Sequence, residues 1–102
     1  MHIEFVRSGG FAGILLSARI DLDKLPPDES AILESRIDEA NFFALPEQIK
    51  PTVPMPDRFE YQITISSSQR THTVTISETL VTDPLRPLLE YLTDLARTGK
   101  YH

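Results

Sequence analysis

Residues 8–13 read Ser8-Gly9-Gly10-Phe11-Ala12-Gly13, and the fold of the first part of the chain turns on this stretch. It holds three of the chain's four glycines. Glycine takes positive φ without the steric cost that other residues carry, so the cluster predicts a hairpin loop longer than a tight two-residue turn. Before it, Met1–Arg7 puts Ile3 and Phe5 on one side of a short strand and His2 and Glu4 on the other, with Val6 weakening the alternation. After it, Ile14, Leu16, Ala18 and Ile20 alternate with Leu15, Ser17, Arg19 and Asp21, the pattern of a strand with one buried face. The two runs are expected to pair antiparallel. Phe11, between the glycines, has two open readings. It folds back over the sheet end, as large apolar side chains tend to, or it is offered to a partner from a loop held by a rigid scaffold.

Beyond the hairpin, Leu25-Pro26-Pro27-Asp28-Glu29 marks a helix start. Proline fits the first turn, where the N–H groups have no helical partner, and the two acids favour the positive end of the dipole. Leu33, Ile37, Ala40 and Ala44 follow at i, i+4, i+7 and i+11, predicting an amphipathic helix over 26–41 with Phe42, Phe43 and Leu45 sealing its end. Pro46–Asp57 holds four prolines in twelve residues and reads as an extended connector, anchored to the domain edge by Ile49, Val53 and Met55. Arg58–Ser66 is the clearest strand, with Phe59, Tyr61, Ile63 and Ile65 on its apolar side. After the polar turn Ser67–Arg70, Thr71–Ser77 returns, with His72, Val74 and Ile76 opposite Thr71, Thr73 and Thr75. Thr82-Asp83-Pro84 predicts the start of a last helix, capped by Thr82 or Asp83. Its stripe is Leu85, Leu88, Leu89, Leu92, Leu95 and Ala96, and Gly99 stops it, leaving a loose tail.

Four strands with one apolar side each and two helices with one apolar stripe each define an α+β fold. The expected architecture is a four-stranded, mainly antiparallel sheet with both helices on one face, in the order β-β-α-β-β-α, as a single domain over 1–102. The Thr-rich face is expected to meet water. Phe59, Tyr61, Ile63, Ile65, Val74, Ile76, Leu88 and Leu92 are expected in the core.

The 102 residues suffice for one core without disulfides or a structural metal, and the chain has no cysteine. The net charge of −5 offers no basic surface for nucleic acid. No apolar run approaches the roughly 20 residues that span a bilayer, and the N-terminus lacks the basic and apolar regions of a secretory signal. A soluble, cytoplasmic protein that is a monomer when free is expected, with no membrane partner and no cofactor.

Chemistry within the chain is sparse. His2, His72 and His102 lack ligand spacing, and His72 reads as a sheet-end residue rather than a metal ligand. No Gly-x-Ser-x-Gly elbow occurs. The Ser8–Gly10 glycines join strand to strand, without the helix start of a phosphate loop. Asp21, Asp23 and Asp28 do not match a calcium loop and read as caps and loop ends. The chain is not expected to be an enzyme.

Taken together, certain stretches resemble the emfourin family of protealysin inhibitors over nearly the whole chain. They are the first strand running into Arg7–Gly13, Leu25–Glu29, Asn41-Phe42-Phe43-Ala44-Leu45-Pro46, Asp57-Arg58-Phe59-x-Tyr61, His72-Thr73-Val74 and Leu85-Arg86-Pro87-Leu88. No one of these motifs is decisive; their ordered combination is specific. The resemblance implies a competitive inhibitor of thermolysin-like, especially protealysin-like, zinc metallopeptidases. It also implies two neighbouring loops, one giving an aspartate to the enzyme's zinc and the other putting apolar side chains into substrate subsites. Carried onto this chain, it makes Ser8, Gly9, Gly10, Phe11, Ala12 and Asp57 the protease-binding residues. Asp57 is the first candidate zinc ligand because it ends the connector in a family-like stretch; Asp83 is the second, with helix capping as its other role. Ser67–Arg70 departs from the Gly-rich acidic turn of relatives and is given no role. The rival readings are a non-inhibitory interaction module using the Gly-rich hairpin loop and a small-ligand domain.

Overall fold

The computed structural model describes residues 1–9, 15–53, 58–99 and 101. Its elements in chain order are β1 (His2–Gly9), β2 (Leu16–Asp21), α1 (Pro27–Ala40), β3 (Gln48–Ile49), β4 (Phe59–Ser66), β5 (Thr71–Ser77) and α2 (Arg86–Arg97). Short 3-10 turns lie at Leu22–Lys24, Phe42–Ala44 and Glu78–Leu80. The strands form one sheet in the order β2-β1-β4-β5-β3. β1 pairs antiparallel with β2 and with β4, and β4 pairs antiparallel with β5. The expected hairpin is present, with Arg7 opposite Leu16 as its last pair.

The expected four-stranded sheet has a fifth strand. Inside the proline connector, Gln48 and Ile49 run parallel to Thr75 and Ile76, and the Thr75 N–H donates to the Glu47 carbonyl at 2.8 Å. Pro46 and Pro51 bracket four residues that keep their N–H groups, and an edge position needs only one bonded side. The sheet is therefore mixed. Ile49 anchors the connector as expected, whereas Val53 is exposed; Met55 lies outside the described residues.

Side-chain alternation sets the layers. Ile3, Phe5, Ala18, Ile20, Ile63, Ile65, Val74 and Ile76 are all buried on one face, beneath Leu33 and Ile37 of α1 and Leu88, Leu89 and Leu92 of α2. Burying each large apolar side chain contributes roughly 1.5–3 kcal/mol. On the other face Glu4 and Arg19 pair at 3.7 Å, and the Thr64 and Thr73 hydroxyls meet at 2.9 Å. Thr71 is exposed and Thr73 and Thr75 are half-buried, as the solvated face requires. Phe59 and Tyr61, expected in the core, are only half-buried. Phe59 lies where β1 and β4 outrun β2, and Tyr61 stands level with Arg7 and Leu16, the last pair that β2 makes.

α1 ends where Asn41 takes the left-handed conformation (φ 51°, ψ 48°), its N–H bonding the Ile37 and Asp38 carbonyls. This is a left-handed helix stop. Ala44, placed on the helical stripe by its spacing, lies beyond that stop and is exposed. Phe42 is buried, and His72 locks the corner: its Nε2–H donates to the Leu45 carbonyl at 2.7 Å, with its ring edge-on to Phe42. α2 begins later than Thr82-Asp83-Pro84 suggests. Neither Thr82 nor Asp83 caps it by side chain; the Thr82 backbone carbonyl accepts from the Leu85 and Arg86 N–H groups instead. The tail is held at Tyr101, whose carbonyl accepts from the Arg19 N–H on the β2 edge. Asp21 does cap, its Oδ1 accepting from the Asp23 N–H at 3.0 Å.

Candidate functional site: one end of the sheet

β1 and β4 continue together past the last β1–β2 pair. Ser8 faces Glu60 and Gly9 faces Phe59, although β2 ends its pairing at Arg7. Segment 10–14 follows Gly9 in the chain and segment 54–57 precedes Arg58, so the residues bordering both segments lie side by side. Gly9 makes this closeness workable. Its φ is +93°, and a Cβ there would stand 2.7 Å from the Arg58 carbonyl oxygen. Only glycine meets both demands at once.

Of the residues assigned to protease binding, Ser8 and Gly9 are half-buried at the tip of β1. Gly10, Phe11, Ala12 and Asp57 lie outside the described residues. Asp83 is exposed in the turn before α2, away from the Gly9–Phe59 pair in the chain and without a capping bond.

The same sheet end is stiffened by residues that sequence reasoning missed. The Arg7 guanidinium lies over the Phe59 ring, 4.3 Å from its centroid. Such a contact contributes about 0.5–1 kcal/mol where exposed and more when desolvated. The Phe59 N–H donates to Glu78 Oε1 at 3.0 Å. Lys50, just after β3, reaches Glu60 at 3.1 Å, tying the connector to β4. The Ser77 and Thr79 hydroxyls meet at 3.0 Å and hold the turn that carries Glu78. Arg7 was visible as the residue before the glycine loop, and its alternation with Ile3 and Phe5 puts it on the helix face. Glu78 had no sequence signal, because its position depends on register.

Beside this end, between the sheet and α2, lies an open cleft of about 390 Å³ lined by Arg7, Tyr61 and Glu78 and by Arg86, Glu90 and Arg97 of α2. Its charges are mixed. Among the described residues no group of three His, Cys, Asp or Glu side chains is arranged to hold a metal ion, and no helix is long and apolar enough to cross a membrane. His72 sits at the other end of β4, opposite Ile65, with Nε2 committed to the Leu45 carbonyl.

Two helices on a mixed five-stranded sheet define an α+β fold, and Gly9 and Phe59 stand side by side at one end of that sheet. The chain belongs to the emfourin family, whose family model matches residues 5–93. Emfourins are inhibitors and not enzymes, which gives the expected absence of catalysis its basis. A solved structure, emfourin (M4in) from Serratia proteamaculans, described as an M4 family peptidase inhibitor, is 25% identical. The match covers 99% of this chain and 89% of that one, with a TM-score of 0.44. No curated protein matches the chain.

Proposed function

We propose that this chain is a competitive inhibitor of thermolysin-like, protealysin-like zinc metallopeptidases. The observation that carries the reading is membership of the emfourin family over residues 5–93. The side-by-side placement of Gly9 and Phe59 supports it, because a two-loop inhibitor needs both loops to reach one cleft.

In this reading Asp57 ligates the enzyme's zinc. A carboxylate suits zinc and takes the position that water or substrate otherwise uses. Phe11, with Ser8, Gly9, Gly10 and Ala12 as its frame, fills an apolar substrate subsite. The Arg7–Phe59, Phe59–Glu78 and Lys50–Glu60 contacts order the sheet end that borders both segments, which lowers the ordering entropy that this end loses on docking. The free chain is a cytoplasmic monomer in this reading.

The test is steady-state inhibition of a thermolysin-like zinc peptidase at several substrate concentrations. Inhibition that is relieved by substrate supports the reading. A chain that binds the peptidase without slowing hydrolysis is instead the non-inhibitory interaction module.

A further inference from the structure

Where β5 ends, a side chain completes the next rung of the sheet. Glu60 faces Ser77 in the β4–β5 ladder, so the next register pair is Phe59 with residue 78. β5 stops at Ser77 and the chain turns into Glu78–Leu80, leaving the Phe59 N–H without the backbone carbonyl a longer strand would supply. Glu78 Oε1 takes that place at 3.0 Å. The acceptor is a carboxylate, which makes the bond stronger than a neutral one, and an unpaired part-buried N–H is costly.

This bond grips the start of β4 from the β5 side. From the β1 side, Gly9 packs on the Arg58 carbonyl, and the Arg7 guanidinium covers the Phe59 ring. Arg58–Phe59 is thus fixed on both flanks, and segment 54–57 joins the chain at that point. We propose that Glu78 is a positioning residue: by holding the Phe59 N–H it fixes the Arg58–Phe59 end of β4 beside Gly9, and so sets how tightly this sheet end holds a bound peptidase. The proposal rests on the inhibitory reading above. Glu78 itself touches neither the zinc nor the substrate cleft in this account; it acts through Phe59.

The test compares Glu78→Ala with Glu78→Gln in the full chain. Glutamine keeps an acceptor oxygen at the same reach, and alanine does not. Three quantities are measured: amide exchange of Phe59 and Ile63 in the free chain, the inhibition and dissociation constants against a thermolysin-like zinc peptidase, and the melting temperature. Glu78→Ala is expected to speed exchange at Phe59 but not at Ile63, and to raise the inhibition constant about tenfold, mainly through faster dissociation. The melting temperature should fall by only a few degrees, and Glu78→Gln should restore most of the affinity. Equal acceleration at Phe59 and Ile63 would show general destabilisation and overturn the proposal. An unchanged inhibition constant despite faster Phe59 exchange would also overturn it. The wild-type chain separates the two levels. If it does not inhibit, the functional reading fails and the effect on affinity fails with it, while Phe59 exchange in the free chain still reports whether Glu78 holds the strand end.

Discussion

Gly9 and Arg58 touch at the end of the sheet so closely that a single added methyl on Gly9 would lie 2.7 Å from the Arg58 carbonyl oxygen. Two segments proposed to act on one partner are bordered by these two residues. Gly9→Ala should therefore disturb stability and affinity together. A positive φ held by a non-glycine residue costs about 1–3 kcal/mol, and the steric contact adds to it. Thermal melts and inhibition constants on the same samples check this; a variant as stable and as potent as the parent would mean the two strand ends separate freely.

Phe11→Ala distinguishes the two readings of the loop residue. As a subsite contact, its loss should raise the inhibition constant and leave the melting temperature unchanged. A Phe folded into the core would instead cost about 3–5 kcal/mol on truncation. A large drop in melting temperature with unchanged inhibition assigns Phe11 to the core.

His72→Phe serves as the opposite case. The ring survives next to Phe42, but the Leu45 carbonyl loses the donor 2.7 Å away. An acceptor left unpaired in a part-buried corner costs about 1–3 kcal/mol. His72 stands at the far end of β4 from Phe59, so the melt should shift and the inhibition constant should not. A loss of inhibition beyond that expected from unfolding would tie the two ends of the sheet together.

Tyr91 gives the protein an alkaline weakness. Burial, then the negative charges of Glu29, Tyr101 and Asp28, raise its pKa above 10.0, against a smaller opposite effect of Arg36. The folded state thus holds the phenol proton where the unfolded state releases it. That contribution is intact below pH 10 and is lost as pH rises through the folded value. Tyr91→Phe should flatten the fall in stability above pH 10, measured by denaturant unfolding across that range. An unchanged pH profile would remove Tyr91 from the account.

Most of the fold was legible because its signals are local. Ile3 and Phe5, Ala18 and Ile20, and Ile63 and Ile65 alternate with polar residues, and Leu33, Ile37 and Ala40 recur at helical spacing; each pattern marks one buried face. β3 was not legible, since two residues between prolines show no period and their partners Thr75 and Ile76 lie far along the chain. The start of α2 misled because Thr82 and Asp83 have capping side chains, yet the backbone carbonyl of Thr82 receives the bonds. Phe59 and Tyr61 carried the apolar pattern of β4, but how deeply each is covered depends on where neighbouring elements end. Ser8 and Gly9 read as loop residues, yet β1 runs through both, because β4 still pairs with them where β2 has ended. Glu78 was not legible, because only the register of β4 against β5 brings it to the Phe59 N–H.

The most direct test of the central claim is the inhibition constant of Asp57→Asn against a thermolysin-like zinc peptidase, measured beside the parent and Asp83→Asn. Asparagine keeps the size of the side chain and removes the charge that a zinc ligand supplies. Because Asp83 makes no capping bond at α2, its variant should match the parent in both stability and potency. The account predicts competitive inhibition by the parent and a loss of potency in Asp57→Asn far larger than any loss of stability. Loss of inhibition in Asp83→Asn alone would move the ligand to Asp83. Unchanged inhibition in both variants, with a noncompetitive pattern in the parent, would contradict a carboxylate on the enzyme's zinc.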